Sequence, residues 1–405
     1  MSSPTLSEQS LQILRSRGDN PRLQNGFRNV SNASYFSSDS ADSQATVAIP
    51  DELESVETFQ FLELRPETAR DVFNYFVQRK VEFPDWATTL GAAIDHVESI
   101  EGDAYSETDD WRGIMNAIGL TTNFQNRVMD PEYTRMRLTG TAKFWAVEMM
   151  RMRYEFLQSL DNLITTQGRR VNREASHSGN FKSGPPQPVP KRGSSKGDPV
   201  VGIFSTAGPS TATAEVDWPL AEINGHSTFY KGGPLATLKR IYLNDNPLNL
   251  GIGQILCSPP TDFTGETMAL YLTKQEQVAH QYAKWAKRIV DGKVVPVGLL
   301  AIAIPDNLLT SITQVVGEEW RRLVWNSRRQ LFGDVGLNHL REYQWLTGPL
   351  CRQCPDKVRR LNNPAELEVW KLDTGEAASQ HYTASASMYT MLQNACVGKV
   401  WIKEI

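Results

Sequence analysis

Lys231 stands near the end of Ser227-Thr-Phe-Tyr-Lys-Gly-Gly233, a strand-like run that passes directly into two glycines. Backbone can approach a ligand closely at Gly232 and Gly233 because no Cβ intervenes. A second stretch, Met268 to Arg288, opens with Ala269-Leu-Tyr-Leu272, an apolar run with an aromatic at Tyr271 that suits a buried strand. Thr273 follows as a helix N-cap. Val278, Ala279, Tyr282, Ala283 and Ala286 then recur at spacings of three and four, so one face of the helix is small and made for close packing. Further stretches with chemical content are Asp262-Phe-Thr-Gly265, Glu319 to Arg329, Tyr343 to Leu350, and Ser379 to Leu392, the last strand-like and then helical. Arg328 and Arg329 read as a solvated helix face. Cys351-Arg-Gln-Cys354 has redox or zinc-knuckle spacing, but no second CxxC or HxxxH lies nearby to complete a ligand set. Two ordinary half-buried thiols are expected there, with no metal. His96 has no companion carboxylate or thiol at a recognisable spacing.

The elements that must position these residues fall into four regions. Residues 1–48 are rich in Ser, Asn, Gln and Asp and are expected to be a disordered tail. Residues 49–167 are expected to form an all-α helical domain. Pro66-Glu67 reads as a helix start, Trp86, Leu90, Ile94 and Val97 give a second helical stripe, Asp109-Asp110 caps a third helix at Trp111, and a long fourth runs from about 139 to 164. Residues 168–213 form a basic linker rich in Pro, Gly and Ser, with polyproline character at Pro185 to Pro190. Residues 214–405 carry short β-branched runs between Gly, Pro and Asn clusters, the pattern of an α+β domain. Strands are expected at 228–230, 269–272, 297–304, 343–346, 367–372 and 400–402, and helices near 234–242, 274–290, 317–330 and 383–393.

Composition narrows the function classes. With 405 residues, two domains plus tails are expected. The 42 basic and 46 acidic residues nearly balance, so no overall field marks a nucleic-acid binder. Four cysteines are too few for a disulfide scaffold, which points to a reduced, intracellular setting. The first residues lack the basic start and apolar core of a secretory signal, and no apolar run approaches the roughly 20 residues that span a bilayer. A cytoplasmic protein with no membrane partner is expected, and Pro190 to Lys196 has the composition of a weak nuclear address.

Taken in order, the stretches of the second half resemble the ADP-ribosyltransferase-like fold, and within it a fungal and bacterial family of uncharacterised domains. The matching pieces are Phe229-Tyr-Lys-Gly232; Asp262-Phe263 with Leu270-Tyr-Leu-Thr273, Ala279 and Trp285-Ala286; Trp320 to Arg328; Tyr343 to Pro349; and Gln380-His-Tyr-Thr383. They cover roughly the last 180 residues and leave the helical half unexplained. The resemblance implies a split, strongly bent antiparallel β-fold gripping NAD as substrate. It implies NAD-dependent ADP-ribosyl transfer or NAD glycohydrolysis, with an unidentified protein as acceptor or partner. It would give Lys231 the ribose or phosphate contact, Gly232 the backbone contact to the nicotinamide amide, with Tyr230 and Gly233 beside it, Tyr271 the nicotinamide-stacking face, and Gln380 the position at the nicotinamide ribose. Two departures stand out. Lys231 occupies a position held by His or Arg in related proteins, and a Lys acts as a mobile point charge. Gln380 occupies a position held by Glu in the transferases, and an uncharged amide stabilises an oxocarbenium less well. Glu376 and Glu366 lie nearby as substitutes. A catalytically inactive binding module, with the helical half choosing partners, is the alternative.

Overall fold

The computed structural model describes residues 3–19, 21–36, 45–178, 218, 223–331, 337, 339–340 and 344–405. The first half holds α1 (Glu8–Ser16), β1 (Leu23–Gln24), β2 (Phe27–Ser31), β3 (Thr46–Pro50), α2 (Val56–Phe61), α3 (Pro66–Glu82), α4 (Thr89–Ser99), α5 (Trp111–Ile118), α6 (Thr122–Val128), α7 (Thr134–Arg137) and α8 (Ala142–Ser178). The expected signals operate locally. Pro66 opens α3, where its missing N–H removes nothing that the helix needs. Asp110 caps α5 by accepting the Gly113 N–H at 2.8 Å, and Gly119, at φ 83°, ends that helix in a left-handed turn.

The second half holds β4 (His226–Pro234), α9 (Leu235–Lys239), β5 (Leu270–Leu272), α10 (Glu276–Val290), β6 (Val297–Pro305), β7 (Ile312–Gln314), α11 (Gly317–Arg328), β8 (Trp345–Pro349), α12 (Pro355–Arg360), β9 (Ser379–Thr383), α13 (Ala386–Ala395) and β10 (Val400–Glu404). The chain is therefore of mixed α/β class. One sheet has the order β10-β6-β4, antiparallel throughout, and its central strand β6 is buried from Val297 to Ile304, as its unbroken apolar sequence requires. The other has the order β5-β9-β8-β7, with β7 and β8 parallel. Among the described residues, one antiparallel bridge, Tyr230 to Thr273, joins the two sheets.

Helix α10 ties the halves together. Its small face lies on β4, where a Cβ added at Gly232 would stand 2.0 Å from the Ala279 carbonyl oxygen and 2.8 Å from the Ala283 nitrogen. On another face, Trp285 meets Trp145 of α8 edge-on, with ring centroids 5.2 Å apart. At its end, the Val290 carbonyl accepts from Arg153 at 2.9 Å and the Ile289 carbonyl from Arg127 at 3.3 Å, both cations suited to a helix C-terminus. Glu63 completes the cluster, accepting from Arg127 at 2.6 Å and Arg153 at 2.9 Å. Burial works to raise the Glu63 carboxyl, but the two arginines and Thr121 outweigh it and hold the group below the usual carboxylate range. One apolar cluster includes Leu14, Phe156, Trp285, Val297 and Trp370, so it crosses from the first half into the second. Two further clusters, one around Phe229, Ile302 and Trp345 and one around Phe263, Trp320 and Leu346, lie wholly within the second half.

Several expectations are corrected. The described part of the expected disordered tail holds α1 and β1 to β3, because Leu6, Leu11 and Leu14 are spaced to bury together against α8. Ser7 fixes the contact: its N–H and Oγ both reach Asp161, at 2.7 and 2.8 Å. Trp86 lies outside α4 and is 85% exposed. Thr273 is spent on the inter-sheet bridge; its hydroxyl accepts the Gln275 N–H at 3.0 Å, but the helix cap itself is Gln275. Residues 367–372 make isolated bridges, Val369 with Cys351 and Lys371 with Ala377, in place of a ladder strand. The expected linker at 168–213 lies outside the described residues from 179 onward, while its first part continues α8 to Ser178.

Candidate functional site

The strands that carry Lys231 and Tyr271 diverge from the Tyr230–Thr273 bridge, and Gly232 and Tyr271 each stand two residues from it at the same end. On the outer edge of β5, Ala269 pairs with Cys257. Lys231 reaches across to that segment and donates to Cys257 Sγ at 3.1 Å. Gln380 lies on β9, the neighbour of β5, and Tyr271 is in register with Tyr382. Tyr271 and Gln380 thus face the same side of one sheet, two positions apart on adjoining strands.

Both side chains are tied into the protein. The Tyr271 hydroxyl pairs with Thr261 Oγ1 at 2.7 Å and accepts the Phe263 N–H at 3.0 Å. Its ring lies against Phe263 and Tyr382, with centroids 6.3 and 5.2 Å away, and burial pushes the phenol well above its ordinary range. Gln380 is 5% exposed and donates through Nε2 to Asp262 Oδ2 at 2.5 Å and to the Pro349 carbonyl at 3.0 Å. Gly232 is occupied by the backbone of α10, as described above. Gly233 has no heavy atom within 4 Å of where a Cβ would stand, so it keeps open space beside it. Tyr230 packs on Trp218, with centroids 6.0 Å apart. The substitutes Glu376 and Glu366 are exposed; Glu376 accepts from Gln275 at 2.9 Å and Glu366 from the Asn362 N–H at 3.2 Å.

The organising group is Asp262, 2% exposed. Its Oδ1 accepts from Arg328 Nε and Nη2, each at 2.6 Å, and its Oδ2 accepts from the Cys351 N–H at 2.9 Å and from Gln380 at 2.5 Å. Both carboxylate oxygens therefore carry hydrogen bonds from within the protein. Arg328 also donates to the Gln353 carbonyl. It is 9% exposed, so the expected solvated face is corrected here: its partner stands 66 residues away in sequence, beyond any local reading. Burial lowers the Arg328 guanidinium, but Asp262 outweighs it and holds the group above its usual value. The Tyr282 phenol lies within the electrostatic reach of Asp262, Arg328, Cys257 and Cys351, and its ring meets Trp370 edge-on at 5.5 Å. Cys351 and Cys354 are buried and unbonded to each other, and burial pushes the Cys351 thiol up to about 11, which leaves it protonated and unreactive.

His381, unremarked in the sequence beyond its place beside Gln380, faces the other side of β9. It is 7% exposed, with its ring edge-on to Phe229 at 4.9 Å and Nδ1 without a partner among the described residues. Burial and then Lys274 push it down to about 4, so it is neutral at physiological pH.

A separate concavity lies between the halves. It has a volume of about 730 Å³, and its lining includes Arg135 of α7, Arg321 of α11, Arg352 after β8, and Trp370 and Lys371 of the 367–375 segment. None of Lys231, Tyr271 and Gln380 lines it. Compared with protein-family models, with characterised proteins and with solved structures, the chain matches none.

Proposed function

We propose that the second half is an ADP-ribosyltransferase-like fold acting as a catalytically inactive binding module, with the helical half contributing to the choice of partner. Two short sheets meeting at one bridge, with Lys231 and Tyr271 on the diverging strands and Gln380 alongside, support the fold assignment. The observation that carries the functional reading is the commitment of Gln380. Both N–H donors of the Gln380 amide are spent on a buried carboxylate at 2.5 Å and a carbonyl at 3.0 Å, so the side chain is fixed by the fold, and what remains is an uncharged amide oxygen that stabilises an oxocarbenium poorly. Tyr271 is likewise capped at its hydroxyl and covered by rings, which weighs against its use as a nicotinamide platform.

NAD cleavage by these residues is the reading set aside, and it has its own test. The full-length chain is incubated with NAD labelled in the nicotinamide and free nicotinamide is measured, with NAD binding followed by calorimetry. No release above the protein-free blank is expected. Release that disappears in Gln380→Leu, with folding intact by circular dichroism, would overturn the proposal.

A further inference from the structure

The concavity between the halves is lined by cations from four separate segments: Arg135, Arg321, Arg352 and Lys371. A smaller cavity of about 150 Å³ shares Arg352 and Glu368 with it and adds Lys357 and Glu107. Among the described residues, Arg321, Lys357 and Lys371 have neither an ion pair nor a side-chain hydrogen bond, and Arg321 Nε is shielded from solvent without an acceptor. The two carboxylates that line the larger cavity are both spent on exposed pairs, Asp373 with Arg135 at 2.8 Å and Glu368 with Arg352 at 2.9 Å. The buried carboxylates of Glu63 and Asp262, by contrast, are paired with arginines. In a chain with more acidic than basic residues, Arg321 and Lys371, unpaired beside two paired arginines, give one concave surface a net positive charge that suits a bound anion.

We infer that this groove is a binding site for a small organic polyphosphate. Its volume lies within the range of small-molecule sites, which runs from about 300 to 1,000 Å³. Arginines present paired N–H groups that match phosphate oxygens, and lysines add point charge. Because Arg135 comes from the helical half and Arg321, Arg352 and Lys371 from the second, an anion bound here also clamps the two together. The bound phosphates would draw Arg135 and Arg352 away from Asp373 and Glu368, so these carboxylates compete with the ligand. This names the ligand of the module proposed above and rests on that reading. Nicotinamide release tests the module, and phosphate binding tests the ligand, so the two fail separately.

The test is calorimetric titration of the full-length chain with inorganic tripolyphosphate in about 0.15 M salt, where surface charges are screened beyond about 8 Å. Binding with a Kd below 1 mM is expected on this account, roughly tenfold weaker in Arg321→Gln and in Lys371→Gln, and several-fold tighter in Asp373→Asn. Melting temperatures within a few degrees of the parent would show that these exposed or half-exposed positions have not altered the fold. Absence of binding would overturn the proposal. So would equal affinity in the Gln variants, or a Glu-rich octapeptide binding where tripolyphosphate does not.

Discussion

Arg321 and Arg328 lie on one helix, seven residues apart and so on nearly the same face, yet they do opposite things. Arg328 is enclosed and saturated by Asp262 and the Gln353 carbonyl, while Arg321 looks into an open concavity with no partner among the described residues. The difference teaches where function is to be sought. A charge whose every bond is internal is spent on holding the fold, and a half-exposed charge with none is available to something outside.

The comparison is broken most severely at the closed end. Arg328→Met leaves the Asp262 carboxylate buried without its cation, and loss of one partner of a buried pair costs about 3–5 kcal/mol. Urea unfolding should show that loss, whereas Arg321→Met should change stability by no more than about 0.5 kcal/mol. Equal effects from the two substitutions would erase the distinction.

The next effect concerns the packing that positions the closed cluster. Gly232→Ala places a methyl against the backbone of α10, where only movement of strand or helix makes room. Overpacking of this kind costs about 1–3 kcal/mol, read as a lower thermal midpoint.

A pH-dependent effect comes from His381. Its folded value, about 4, lies below the ordinary histidine value near 6.5, so between them the unfolded chain takes up a proton that the folded chain refuses. Its contribution to stability is complete above about pH 6.5 and is lost as pH falls toward 4. Below that range, Glu63 acts in the same direction, since its lowered carboxyl stabilises above its unfolded value and the benefit is lost as pH falls through the folded one. Stability measured from pH 7 to 4 should fall less steeply in His381→Met than in the parent.

Much of the second half was legible in the sequence because its signals are local. The small stripe of α10 and the unbroken apolar run of β6 announce their packing within their own residues. Sequence also drew attention to Asp262, Tyr271 and Gln380, and the structure brings them together around one cluster. Their use was not legible, because Gln380 is turned inward by a carboxylate 118 residues away. The same distance problem hid the N-terminal elements: Leu11 and Leu14 look scattered until α8 supplies the surface that covers them. The groove was hidden for a further reason, since Arg135, Arg321, Arg352 and Lys371 come from four segments with no shared motif.

The claim beneath all of this is that Gln380 serves the fold and not a ligand, and the unfolding free energy of Gln380→Leu tests it most directly. Removing an amide that satisfies a buried carboxylate and a carbonyl should lower stability by about 1–3 kcal/mol. Residues held for function tend to trade against stability, so an unchanged or higher unfolding free energy in Gln380→Leu would contradict the account.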